Sequence, residues 1–175
     1  MLLTVAISVC SAWVSNRIAQ VESEKHFLAR LMENDVEITE TVPAKNFVET
    51  LFGQQLQLSR YKARLRSNQN QHLYELTKFA NLEELTISLD DNLVNLMQFS
   101  EFQSLRRLLV HEWYRPKTMD GVQALTNLEY LKIGNVESPD EIDLTPLADH
   151  PSLEEFWIEG WPLDRSNGFQ VLPDW

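Results

Sequence analysis

The stretch that decides the fold is NLEELTIS, residues 81–88. Alone it reads as helix, because Leu82 and Leu85 stand three apart with Glu83 and Glu84 between them. The same form returns as SLRRLLVH from Ser104, NLEYLKIG from Asn127 and SLEEFWIE from Ser152, in steps of 23, 23 and 25 residues. Each copy is polar-L-x-x-[LF]-x-[IV], and a pattern that recurs at such a period outranks local propensity. The apolar positions also run backwards in threes. Leu73, Leu76, Phe79 and Leu82 are matched by Leu96, Phe99, Phe102 and Leu105, by Met119, Val122, Leu125 and Leu128, and by Leu144, Leu147, His150 and Leu153. The recurrence makes NLEELTIS a strand with its entry turn.

These residues resemble the leucine-rich repeat family, whose unit carries L-x-x-L-x-L within about 20–29 residues. The matching positions are Leu82-Leu85-Ile87, Leu105-Leu108-Val110, Leu128-Leu131-Ile133 and Leu153-Phe156-Ile158. LTPLADHPSLEEF, from Leu144, is similar to the short bacterial, internalin-like form of the repeat. The resemblance covers about residues 70–160. It implies an α/β fold: a leucine-rich repeat solenoid with parallel strands on a concave face and short helix or 3-10 returns on a convex face, preceded by an N-terminal helix. It also implies a non-enzymatic protein–protein interaction module. The family usually places Asn or Cys three positions after the last strand residue. Here those positions hold Asp90, Trp113, Val136 and Trp161, with Asn92 and Asn135 nearby. The asparagine ladder is missing, so irregular turns are expected.

Side chains alternate along a strand. With Leu85 and Ile87 inward, Glu84, Thr86 and Ser88 point outward, and three rows follow across the strands. One is Glu84, Arg107, Tyr130, Glu155; the next Thr86, Leu109, Lys132, Trp157; the third Ser88, His111, Gly134, Glu159. Interfaces favour Tyr, Trp and Arg as anchors. The expected partner-binding residues are therefore Glu84, Thr86, Arg107, Leu109, His111, Tyr130, Lys132, Glu155 and Trp157, with a cation–π contact between Lys132 and Trp157. The competing reading is a solvated sheet whose cross-strand pairs satisfy one another.

The chain divides into an apolar segment and helical stalk over 1–34, an N-terminal cap over 35–72, four repeats over 73–160 and a C-terminal cap over 161–175. MLLTVAISVCSAWV carries no charge, and Arg17 is the first. That run is shorter than the roughly 20 residues of a bilayer span, and no basic region precedes it as in a secretory signal. Val9 before Cys10 does not suit lipidation. Membrane association through residues 1–16, in a membrane-associated or exported bacterial protein, is one reading. A helix end packed on a partner or on the protein body, in a cytoplasmic protein, is the other. From Arg17 to Asn34, Ile18, Val21, Leu28, Leu31 and Met32 form a helical stripe. DVEITETV, from Asp35, reads as a short strand, AKNFVETLFG as a helix closed by Gly53, and QQLQLSRY, from Gln54, as strand. In RYKARLR, Arg60, Lys62, Arg64 and Arg66 alternate, which suits either a solvated sheet edge or a surface for an acidic partner or lipid headgroups. The tail's Trp161, Leu163, Phe169 and Trp175 read as a cap or as a docking peptide.

A net charge of −11 repels phosphate backbones, so no nucleic-acid partner is expected. One cysteine permits neither an internal disulfide nor a Cys-based zinc site. His26, His72, His111 and His150 are scattered, and no H-E-x-x-H occurs. His111 and Glu112 are adjacent on a strand and so face opposite sides. His150, where other units carry Phe or Leu, reads as structural. LDDN at 89–92 lacks the spacing of a calcium loop and reads as a solvated turn. No catalytic residue, metal site or cofactor is expected. The second functional reading is a structural or accessory subunit, held in a larger complex by the apolar N-terminal segment and the Trp-rich tail.

Overall fold

A computed structural model describes residues 2–41, 60–89, 95–160 and 168–171. The helix expected over 44–53, the start of the strand expected at 55–61, the turn at 90–92 and most of the tail lie outside the described residues. The fold is α/β, built on an open, mostly parallel sheet. Helix α1 spans Leu2–Glu33. The strands are β1 Glu37–Thr41, β2 Arg60–Leu65, β3 Leu82–Ser88, β4 Arg107–His111, β5 Tyr130–Val136, β6 Glu155–Gly160 and β7 Gly168–Val171, and they lie in the sheet in chain order. Strands β2 to β6 run parallel, while β1 and β7 flank them antiparallel. Helix α2 is the short Leu73–Leu76.

Between strands the chain returns through 3-10 turns such as Met97–Phe99, Val122–Ala124 and Thr145–Leu147. This explains the apolar period of three. A 3-10 helix has three residues per turn, so residues i and i+3 eclipse and face one side. Backbone bonds join the apolar positions directly: Phe99 N–H to Leu96 C=O, Phe102 to Phe99 and Leu105 to Phe102, at 2.9, 2.9 and 3.1 Å. The next unit repeats this from Met119 to Leu128. Leu96, Phe99, Phe102 and Leu105 are buried, as are Met119, Val122, Leu125 and Leu128, and they share one core with inward Leu85, Ile87, Leu108, Val110, Leu131 and Ile133.

The asparagine position is filled by core. Trp113 and Val136 are fully buried there; Asp90 and Trp161 lie outside the described residues. Simple alternation after inward Val110 would send Trp113 outward. Instead Glu112 takes φ 57°, and in the next unit Asn135 takes φ 60°. Each left-handed residue shifts the phase by one and turns the following side chain inward. At Asn135 the β5–β6 register slips: Ile133 faces Ile158, but Val136 faces Gly160. This is a bulge with one extra residue.

The units are tied elsewhere, at the polar residue that opens each of the last three copies. Ser104 Oγ donates to Leu82 C=O at 3.0 Å, Asn127 Nδ2 to Gln103 C=O at 2.7 Å, and Ser152 Oγ to Leu128 C=O at 3.0 Å. A polar ladder exists, at the entry of the strand rather than after its end.

The second half of α1 is no free stalk. Leu31 is fully buried, and Phe27 and Leu28 pack against the core. Phe27 meets Phe79 edge-on at 6.5 Å, and the Tyr61 hydroxyl donates to buried Glu24 at 3.3 Å. Arg30 reaches Glu75 on α2 at 2.6 Å. Farther out, Trp13 is 52% and Ile18 40% exposed. No helix among the described residues is long and apolar enough to cross a membrane. In α1 the charges of Arg17, Glu22 and Glu24 end the apolar run before the roughly 20 residues that a span requires.

Candidate partner-binding face

The face of the sheet turned away from the core is made by alternate strand residues. The pairing places Glu84 beside Arg107, Arg107 beside Tyr130 and Tyr130 beside Glu155. The next row runs Thr86, Leu109, Lys132, Trp157. In the third, Ser88 lies beside His111, and a Cβ added at Gly134 would meet His111 Nδ1 at 3.6 Å and Glu159 Oε2 at 3.7 Å. All nine residues expected on this face lie on it, exposed or half-buried.

Their contacts differ from expectation in one respect. The cation–π contact joins Arg107 to Tyr130, with the guanidinium carbon 4.1 Å from the ring centroid. Lys132 turns to Glu159 at 2.7 Å rather than to Trp157. Trp157 and Glu159 are two residues apart on one face, and a carboxylate holds an ammonium more strongly than an indole does at a half-exposed site. Trp157 Nε1–H instead donates to Glu155 at 3.3 Å. His111 is held below its ordinary pKa by partial burial first, then by the positive charges of Lys132 and Arg64. Its imidazole is therefore neutral at pH 7.

The basic stretch RYKARLR is not a sheet edge. Strand β2 pairs with β1 on one side and β3 on the other, which overturns the solvated-edge reading. Tyr61, Ala63 and Leu65 face the core, while Arg60, Lys62 and Arg64 face out. Lys62 stands beside Glu84 and Arg64 beside Thr86, so β2 extends the rows by one strand. Lys62 Nζ lies 2.7 Å and Arg107 Nε 3.6 Å from the same Glu84 oxygen. On β1, Glu37 meets Arg66 at 2.9 Å and Arg64 at 3.9 Å. Only alternation signalled this strand, because β2 lacks the L-x-x-L spacing. Its register with β3 shifts between Tyr61 and Lys62.

The buried His150 lies in the core side of the fourth unit, away from this face. Its Nε2 lies 3.2 Å from Val122 C=O, and its Nδ1 lies 3.1 Å from the Leu153 N–H. In the second and third units that N–H bonds the carbonyl three residues back. In the fourth unit the imidazole takes the carbonyl's place. Among the described residues, no three His, Cys, Asp or Glu side chains are grouped to hold a metal ion. No protein-family model, curated protein or solved structure matches the chain.

Proposed function

We propose that the chain is a non-enzymatic protein–protein interaction module, a short leucine-rich repeat solenoid that binds a protein partner on its concave face. The observation that carries this reading is the row of Glu84, Arg107, Tyr130 and Glu155 with its neighbour. Arg107 stacked on Tyr130 offers a preorganised, half-exposed anchor, with Leu109 and Trp157 beside it. The ion pairs around it are half-exposed, and pairs in contact with solvent contribute about 0–1 kcal/mol, so a partner can exchange them at little cost. The recurring period of 23–25 residues supports the repeat assignment. The test is affinity capture with wild type and Tyr130→Ala/Trp157→Ala. The double variant loses the partner while keeping its thermal transition; capture that is unchanged removes the proposal.

A second reading is favoured by α1. Trp13 and Ile18 are exposed, while the part of α1 from Glu24 to Leu31 is fixed to the core. An apolar helix presented in this way suits docking as an accessory subunit, or association with a membrane surface through residues 1–16 without spanning it. Removal of residues 1–16 distinguishes this reading, because it abolishes complex formation or membrane fractionation and leaves concave-face binding untouched.

A further inference from the structure

The outward face is uneven in charge. At its β1–β4 end, carboxylates are outnumbered: Lys62 and Arg107 share Glu84, and Arg64 and Arg66 share Glu37. These cationic side chains are about half exposed or more. At the β5–β6 end the balance reverses, with Glu155 and Glu159 against Lys132. The rest of the molecule is acidic, since the whole chain carries −11. A positive column on such a protein is a local feature and not an effect of composition.

We propose that this column selects an acidic, extended polypeptide segment as the partner's docking element, with its carboxylates on Lys62, Arg64, Arg66 and Arg107. The proposal rests on the concave-face reading and names the partner's chemistry. Alternate residues of a strand project on one side about 6.6–6.8 Å apart. Lys62, Arg64 and Arg66 follow that spacing, and so do alternate acidic residues of an extended peptide laid along β2. Each such carboxylate meets a guanidinium or ammonium that now has only half of a carboxylate. A nucleic-acid strand fits less well. Running along the column, it soon passes beyond the cations; running across the sheet, it meets Glu155 and Glu159. The described aromatics on which bases would stack, Tyr130 and Trp157, lie toward the acidic end.

The test uses the full chain and three labelled probes read by fluorescence anisotropy at low and physiological ionic strength: a peptide of alternating Glu and Ser, a peptide of alternating Lys and Ser, and oligothymidine. The acidic peptide binds, and its affinity falls as salt rises. Arg64→Glu/Arg66→Glu weakens it by about tenfold or more, since each attraction becomes a repulsion. Glu84→Gln removes the competing carboxylate and tightens binding about two- to fivefold, a gain that misfolding does not mimic. Equal binding of the basic peptide, binding of oligothymidine in place of the acidic peptide, or no effect of either variant overturns the inference. If Tyr130→Ala/Trp157→Ala abolishes capture of the cellular partner while Arg64→Glu/Arg66→Glu captures it unchanged, the acidic-partner inference falls and the concave-face reading stands. If no substitution on the face alters capture, both fall.

Discussion

His150 gives the sharpest test of how the fourth unit is held. Replacing it with Phe restores the residue type found at Phe79 and Phe102, so a purely apolar account expects a gain. The hydrogen bonds give the opposite answer. Val122 C=O also accepts the Leu125 N–H at 2.9 Å, so losing the imidazole leaves it partnered. The Leu153 N–H is different: its partner is His150 Nδ1, and among the described residues no backbone carbonyl accepts it. An unsatisfied buried donor costs about 1–3 kcal/mol. The larger apolar ring recovers part of that, leaving a net loss of about 1–2 kcal/mol for His150→Phe. In a chain of this size that is a drop of roughly 2–8 °C in Tm. His150→Asn, whose side-chain oxygen occupies nearly the place of Nδ1, retains most of the stability.

The same geometry sets a pH dependence. Burial lowers the His150 pKa below the ordinary 6.5, outweighing the backbone bonds that raise it. Protonation also converts Nδ1 from acceptor to donor. As pH falls through 6.5 the unfolded chain takes up its proton first, so stability declines. The decline levels off once pH is below the folded-state pKa. His111 is shifted the same way, so His111→Gln is the needed background. Urea denaturation in that background between about pH 7.5 and 5.5, above the range of ordinary carboxylates, separates the two. His150→Asn flattens the profile. If His150→Phe is as stable as wild type, or His150→Asn keeps the wild-type pH slope, the imidazole does not act as the surrogate carbonyl.

Three further outcomes follow from the packing. Gly121→Ala loses about 3 kcal/mol or more, because φ is +95° and an added Cβ would lie 2.5 Å from Met97 N in the preceding unit; an unchanged denaturation midpoint would contradict that close approach. Glu112→Asn gains about 0.5–1 kcal/mol by relieving the left-handed strain at φ 57°, read as a higher Tm at constant m-value, and a loss would mean that the glutamate side chain matters more than its backbone. Leu31→Ala costs about 2–5 kcal/mol, whereas exposed Ile18→Ala stays within about 0.5 kcal/mol; equal effects would mean that α1 is uniformly attached or uniformly free.

The parts legible in the sequence are those fixed by period. The three-residue apolar step and the strand alternation both follow from backbone geometry, so Leu96-Phe99-Phe102 and Leu85-Ile87 could be placed in the core from spacing alone. Three features escaped because they depend on single residues. The phase shift at Glu112 and Asn135, which puts Trp113 and Val136 in the core, uses positive φ at residues that carry no glycine signal. The docking of α1 depends on which part of a weak stripe meets Phe79 and Tyr61. The position of β2 depends on a bulge in a unit without the repeat's own spacing, so its cations could not be aligned with Glu84 beforehand.

These three departures have one physical consequence in common. In a perfectly periodic stack every outward row would continue unchanged, and the charge of the face would be set by the repeat. Here the core positions keep their chemistry from β2 through β6, since Tyr61, Ala63 and Leu65 lie in register with Leu82, Leu85 and Ile87. The outward positions do not share that constraint. Substitutions at exposed sites are usually within about ±0.5 kcal/mol, against about 2–5 kcal/mol for truncating a buried leucine. The outward residues of β2 are therefore free to be cationic and those of β6 to be acidic at nearly constant stability. On the proposed concave-face reading, the contrast between the two ends, over a uniformly apolar core, makes the face and not the core the place where a partner is chosen.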